Sequence, residues 1–206
     1  MEIQRTYLER ALFNTFYKLD VIEYPPTADG KLAADRRLCS QLLSSRTASF
    51  LTGEVTVFTS PRFISCLDSA SQRGEPVIKL LFHCKCLIEE DPPGSAKLVD
   101  DAITELLNEL ERRWKKQTAG QIEDPARARQ IIQQAVEQGV LQLFVLKHRV
   151  TEAPHSAILD DRSLLIQQVH VPGQHAPQWF IGNPNGLLPE YRTEHEVYER
   201  GALRLK

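Results

Sequence analysis

The sequence predicts an α/β domain over residues 49–206, with a mostly parallel central sheet flanked by helices, preceded by a helical N-terminal extension over residues 1–48. Residues 50–59 are rich in β-branched and aromatic side chains and alternate polar with apolar, which is typical of a strand. Residues 77–82 and 140–146 are short apolar runs of the kind found in buried parallel strands. Because a helical pattern separates the first two strands, they form a predicted right-handed βαβ unit.

Two helices are predicted in the extension. Apolar residues recur at helical spacing over residues 3–19, and a second helix is predicted from Leu32 to Ser45 with Leu38, Leu42 and Leu43 facing inward. Their position ahead of the main domain suggests a lid or a dimerisation element.

The helices of the main domain have recognisable ends. Ser60-Pro61 is a strong helix start, and Arg73-Gly74 ends the same helix. The next helix is predicted from an apolar stripe between Leu98 and Trp114, with Ser95 as its cap. The basic stretch 112–116 lies at the carboxyl end of this helix, where positive charge interacts favourably with the helix dipole. We therefore favour a solvent-exposed helix end over a nucleic-acid contact there.

The second half of the chain continues the alternation of helices and strands. Asp124-Pro125 opens a helix that ends at Gly139. Residues 156–160 and 163–167 flank a tight turn and predict a β-hairpin. A strand over 178–183 and a last helix from Thr193 to Leu205 complete the domain.

The composition excludes several classes of protein. The chain has 206 residues, with 25 Lys and Arg against 27 Asp and Glu, spread evenly enough that no broad basic field exists and any nucleic-acid contact must be local. No apolar run approaches the roughly 20 residues that span a bilayer, and charged residues interrupt the first 20 positions where a signal peptide needs an apolar core. A cytoplasmic protein without membrane insertion is expected.

The four cysteines do not predict a disulfide framework, because they are few and scattered. The stretch His83-Cys84-Lys85-Cys86 could supply metal ligands, but no second Cys/His pair accompanies it, so we favour reduced thiols at a strand end. His170 and His175 flank a loop and are interpreted as incidental. No metal site and no cofactor are predicted.

Several residues in the main domain follow one another in an order that resembles one half of the phospholipase D-like superfamily, over residues 49–205. They are Arg73-Gly74 before an apolar strand, His155 at the start of the hairpin, Asp160 near its turn, and Gly182-Asn183 on the next strand. The resemblance implies that the histidine is the nucleophile on phosphorus, that a lysine two positions later binds the phosphate, and that the aspartate orients the histidine.

The candidate catalytic residues are therefore His155, Asp160 and Asn183. Lys147, His148 and Arg149 are candidate binding residues, because they follow a predicted strand and could lend charge to a pocket at the carboxyl ends of the strands. The sequence departs from the family pattern at Ala157, which stands where the lysine is expected. Losing such a stabilising contact costs about 10²–10³ in rate. The triplet His83-Cys84-Lys85 repeats the His-x-Lys spacing, but outside the hairpin.

Three functions remain open at this point. We predict a catalytically degenerate phospholipase D-like module that acts as a binding or regulatory homodimer and holds a protein partner or a nucleic acid. The alternative is a phosphodiesterase or nuclease in which His155 from two subunits meets at a composite site. The third possibility is an unrelated α/β domain in which the spacing of His155 and Asp160 is accidental.

Overall fold

The computed structural model describes residues 21–53, 55–90, 94–117, 122–148, 155–167, 178–182 and 187–205. The helix predicted over residues 3–19 lies outside these ranges. The helices are α1 (Ala28–Ser44), α2 (Pro61–Arg73), α3 (Ala102–Lys116), α4 (Pro125–Glu137) and α5 (Leu188–Gly201). None of them has the length and hydropathy that crossing a lipid bilayer requires.

The described strands form one large sheet and one small hairpin. They are β1 (Val21–Tyr24), β2 (Thr47–Thr52), β3 (Val77–Phe82), β4 (Ile88–Glu90), β5 (Ala96–Leu98), β6 (Leu141–Val145), β7 (His155–Leu159), β8 (Ser163–Gln167), β9 (Gln178–Ile181) and β10 (Leu203–Arg204). The large sheet has the order β1-β9-β8-β7-β2-β3-β6-β10, and β4 pairs with β5 separately.

The large sheet is mixed. Strands β2, β3 and β6 are parallel to one another, whereas the other neighbouring pairs in the described sheet are antiparallel. The expectation of a mostly parallel sheet is therefore wrong, while a central sheet flanked by helices is confirmed. The reason lies in the connections, because a short turn such as the one between β7 and β8 can join only antiparallel strands.

The two faces of the sheet have different partners. Alternate strand residues, such as Phe50, Leu80, Leu143 and Ala157, join the main core, which also contains residues of α1, α2, α3 and α4. The residues between them face the other side, where α5 packs through two smaller apolar clusters. Between these clusters lies a polar strip that includes Ser49, Lys79 and Ser156.

Several local predictions are confirmed. Ser60 caps α2 by accepting the amide N–H of Phe63 at 3.4 Å, and α2 ends at Gly74 with a φ of 75°, which suits glycine. Asp124 caps α4 by accepting the amide N–H of Arg127 at 2.9 Å. The hairpin of β7 and β8 turns at Asp160 and Asp161, which have φ values of 50° and 53°. Asp and Asn populate that region more readily than most residues.

Other element boundaries differ from the predictions. The strand predicted to Thr59 ends at Thr52, and residues Val55–Thr59 form a 3₁₀ helix. Residues 96–98 pair as β5, so α3 begins at Ala102 with Asp101 as its cap, not Ser95. Helix α5 begins at Leu188 rather than Thr193, and it stops at Gly201 because the following residues pair with β6 as β10.

The described part of the predicted extension joins the sheet. Strand β1 pairs with β9 over four residues, and the Arg37 guanidinium of α1 lies 4.7 Å from the centre of the Phe180 ring on β9. Leu38 and Leu42 of α1 are buried in the main core. Residues 21–48 therefore contribute to the same core as the strands that follow them.

Candidate functional sites at the two edges of the sheet

The candidate residues divide between the two ends of the strands. We call the end where β2, β3 and β6 finish the carboxyl edge, and the opposite end the amino edge. Strand β7 runs antiparallel to β2, with Ser156 opposite Leu51, so His155 stands at the carboxyl edge. Ligands in open α/β sheets commonly bind at this edge.

The ring of His155 is held by the backbone of the neighbouring strand. The amide N–H of Gly53, directly after β2, donates to Nε2 of His155 at 3.0 Å. A neutral imidazole has a single nitrogen lone pair, and here that pair accepts a hydrogen bond. An attack of Nε2 on phosphorus therefore requires it first to give up this hydrogen bond.

Ala157, which stands where the phospholipase D-like pattern has a lysine, faces the main core. Ala157 is 2% exposed, and its neighbours across the sheet are Phe50 on β2 and Leu165 on β8. An ammonium group here would have to leave water for an apolar environment. The alanine at this position thus supplies packing and no positive charge.

Asp160 lies at the amino edge, beyond the far end of β7 from His155. Its carboxylate accepts the amide N–H of Arg46 at 2.7 Å and that of Thr47 at 2.9 Å. These bonds fasten the hairpin turn to the start of β2. A strand rises about 3.3 Å per residue, so roughly 16 Å of strand separate His155 from Asp160. The structure does not bring these two predicted site residues together.

The predicted cations are present at the carboxyl edge. Lys147 and His148 are exposed and follow β6 after Leu146, whose amide N–H donates to the carbonyl of Phe82 at 2.7 Å. That bond holds the end of β6 against β3. Arg149 and Asn183 lie outside the described residues.

The stretch after β3 also reaches the carboxyl edge. The sulfur atoms of Cys84 and Cys86 are 3.0 Å apart, and burial together with the second thiol raises the pKa of Cys84 to about 12. The Cys84 thiol is therefore protonated at neutral pH. Within the described ranges no three His, Cys, Asp or Glu side chains form a cluster able to hold a metal ion. His170 and His175 lie outside those ranges.

A second polar group lies beneath α5, on the other face of the sheet. Nδ1 of His195 lies 2.8 Å from the Ser49 hydroxyl on β2, and Nε2 lies 2.8 Å from the Ser156 hydroxyl on β7. The ring is 4% exposed. Burial lowers the pKa of His195 to about 4, so the imidazole is neutral at pH 7.

Ser49 and His195 line a cleft of about 300 Å³ that runs toward the amino edge. Two ion pairs flank it: Lys79 with Glu199 at 2.8 Å, and Arg192 with Asp161 at 3.0 Å.

The candidate residues predicted from the sequence did not include Ser49, Ser156 or His195. A signal existed in α5, because His195 shares a helical stripe with residues that pack on the sheet, namely Leu188, Tyr191, Tyr198 and Ala202.

Comparison with known proteins gives a likeness of fold. No family model matches the chain, and the search of curated proteins gave no match. The archaeal chromatin protein TrmBL2 is 12% identical with a TM-score of 0.52, over 99% of this chain and 63% of that one. Phosphatidylserine synthase from Haemophilus influenzae is 13% identical with a TM-score of 0.51, over 91% of this chain and 40% of that one.

Nuc from Salmonella typhimurium, a phospholipase D family member, is 11% identical with a TM-score of 0.48, over 91% of this chain and 97% of that one. At these identities the likeness concerns the backbone arrangement and not the chemistry of the site. This chain thus has an α/β fold built on a mixed central sheet, with a backbone arrangement similar to those of TrmBL2 and the phosphatidylserine synthase.

Proposed function

We propose that this chain is a non-catalytic phospholipase D-like module that binds a nucleic acid at its carboxyl edge, as a homodimer. The observation that carries the loss of catalysis is the hydrogen bond from the Gly53 amide to Nε2 of His155, which engages the nitrogen that a nucleophile would use. Ala157 supports it, because a buried methyl group replaces the phosphate-binding cation that the resemblance implies.

The binding role rests on the groups at the same edge. The Lys147 ammonium and the His148 ring are exposed there, and both can contact a phosphate without any bond being broken. Such a contact is local, because the chain carries a net charge of -2. TrmBL2, whose fold is similar, is a chromatin protein with a DNA-binding mode of its own, which makes nucleic acid the first ligand to test.

Replacing Lys147 by alanine is expected to weaken nucleic-acid binding and its dependence on salt. Fluorescence anisotropy with labelled single- and double-stranded oligonucleotides measures both quantities between about 50 and 200 mM salt. If Lys147 contacts one phosphate, the slope of log K against log salt falls in magnitude by about 0.9 for duplex DNA or about 0.7 for a single strand.

Arg162→Ala is the matched control, because Arg162 is also an exposed cation but lies on the β7–β8 turn at the amino edge. It should leave affinity and slope unchanged. Equal effects of the two variants, or the absence of salt-dependent binding in the wild type, would overturn the nucleic-acid role.

The homodimer is tested by solution mass. A dimer has twice the 23.4 kDa of the chain, whereas a strictly monomeric mass would rule out both the dimer and any composite site built from two copies of His155.

The second candidate function, a phosphodiesterase, is favoured by the position of His155 at the carboxyl edge. It requires the ring to release the Gly53 amide before it can attack phosphorus.

A further inference from the structure

The hydroxyl of Ser49 has the surroundings of an activated nucleophile. It lines the cleft beneath α5 and bonds to a neutral imidazole, whose other nitrogen bonds to the buried Ser156. A serine, a base and a third group that orients the base are the elements that activate a hydroxyl for attack on a carbonyl carbon. The three residues come from β2, α5 and β7, so the packing of α5 on the sheet brings them together.

The hydrogen bonds are compatible with the required direction of proton flow. A neutral imidazole donates from one nitrogen and accepts at the other. When the Ser49 hydroxyl donates to Nδ1, the Nε2–H group donates to the Ser156 oxygen. In that tautomer His195 can take the proton of Ser49, and Ser156 keeps the ring in place.

The charges in the cleft favour some substrates over others. Lys79 is the register partner of Ser49 on the parallel strand β3, so its side chain projects from the same face, and its ammonium lies in the same cleft. The ammonium is paired with both oxygens of the Glu199 carboxylate, at 2.8 and 3.0 Å, so it stabilises an oxyanion on the carbonyl only when it turns from that partner. Two cations, Lys79 and Arg192, are outnumbered there by four carboxylates, those of Asp160, Asp161, Glu196 and Glu199. This balance disfavours anionic substrates.

We infer that Ser49 and His195 form a second site that hydrolyses small neutral or cationic carboxylic esters, separate from the non-catalytic role proposed for the carboxyl edge. The Ser49 oxygen bonds to the ester carbonyl carbon while its proton passes to Nδ1 of His195. The bond between that carbon and the alcohol oxygen then breaks, and the alcohol leaves with the proton from His195. Water next cleaves the acyl-serine by the same route, so that one ester and one water give one acid and one alcohol.

A fluorophosphonate probe tests the nucleophile directly, because it forms a covalent bond with an activated serine. Incubation of the folded wild-type protein, followed by peptide mass spectrometry, should place the label on Ser49. Ser49→Ala should abolish labelling. Ser65→Ala should keep it, because Ser65 is exposed on α2 and bonds to the carbonyl of Pro61 within its own helix.

Ester hydrolysis gives a second readout. The wild-type rate on p-nitrophenyl acetate should exceed that of Ser49→Ala by at least about tenfold, less than the roughly 10² of a base whose pKa matches the operating pH, because the pKa of His195 is about 4. A nitrophenyl ester with an anionic succinyl group should react more slowly than the acetate. Because burial holds the pKa of His195 near 4, labelling at pH 5 should stay within about twofold of that at pH 7.

Circular dichroism of each variant separates loss of the nucleophile from loss of the fold. Wild-type protein with a native spectrum and no label on Ser49 would overturn the inference. So would a Ser49→Ala variant that hydrolyses the acetate as fast as the wild type. These outcomes leave the nucleic-acid role untouched, because that role is measured by binding at the opposite edge.

Discussion

Replacing Ala157 by lysine is expected to lower the free energy of unfolding by on the order of 4 kcal/mol, although it restores the cation that the family pattern implies. Ala157 is 2% exposed between Phe50 and Leu165, so the ammonium has to be buried or deprotonated. Burial lowers the pKa of a lysine by about 3 or more, and each change of 1 in pKa corresponds to about 1.36 kcal/mol of unfolding free energy.

Ala157→Met is the matched control for this experiment, because methionine is also long and unbranched but carries no charge. It is expected to cost about 1–3 kcal/mol through overpacking alone. Urea denaturation of the three proteins at pH 7 gives the comparison. A lysine variant as stable as the methionine variant would show that the ammonium reaches water at the carboxyl edge, and it would favour the phosphodiesterase alternative.

The stability of the wild-type protein should also depend on pH through His195. Burial lowers its pKa in the folded protein from 6.5 to about 4. Between these values the unfolded chain binds a proton that the folded protein does not, so acid favours unfolding. Protonation of His195 therefore leaves the free energy of unfolding unchanged above about pH 6.5. It lowers that free energy by an amount that reaches about 3 kcal/mol as the pH falls to about 4.

The variant His195→Gln removes the titrating group and keeps a side chain that can donate and accept hydrogen bonds. Its unfolding free energy at pH 7 is expected to be lower than that of the wild type, but the difference should shrink toward pH 4. All other ionisable groups are the same in both proteins, so the difference isolates His195. A difference that stays constant from pH 7 to pH 4 would contradict the buried neutral ring.

Local signals in the sequence predicted the elements whose ends are set locally. Ser60-Pro61 and Asp124-Pro125 open helices through hydrogen bonds within one turn, and Gly74 ends a helix through its own backbone conformation. The hairpin at Asp160 is equally local. Residues 55–59 show the limit: their alternation suits a strand, yet they form a 3₁₀ helix whose Phe58 carbonyl accepts the Trp114 indole N–H at 3.0 Å.

The sites depended on contacts between distant parts of the chain. The carboxyl edge was predicted in outline, since His155, Lys147 and His148 do follow or begin strands there. The bond between Gly53 and His155 joins residues 102 positions apart, and that between Ser49 and His195 joins residues 146 apart. The helical spacing of α5 placed His195 on the stripe that faces the sheet, but its bonds to Ser49 and Ser156 depend on how α5 packs there.

The loss of phosphodiesterase chemistry at His155 is tested most directly by hydrolysis of bis(p-nitrophenyl) phosphate. The wild-type protein, folded and at neutral pH, is assayed beside His155→Ala. The engaged Nε2 of His155 and the buried methyl of Ala157 predict no release of p-nitrophenol above that of the variant. Release by the wild type that His155→Ala abolishes would contradict a non-catalytic carboxyl edge.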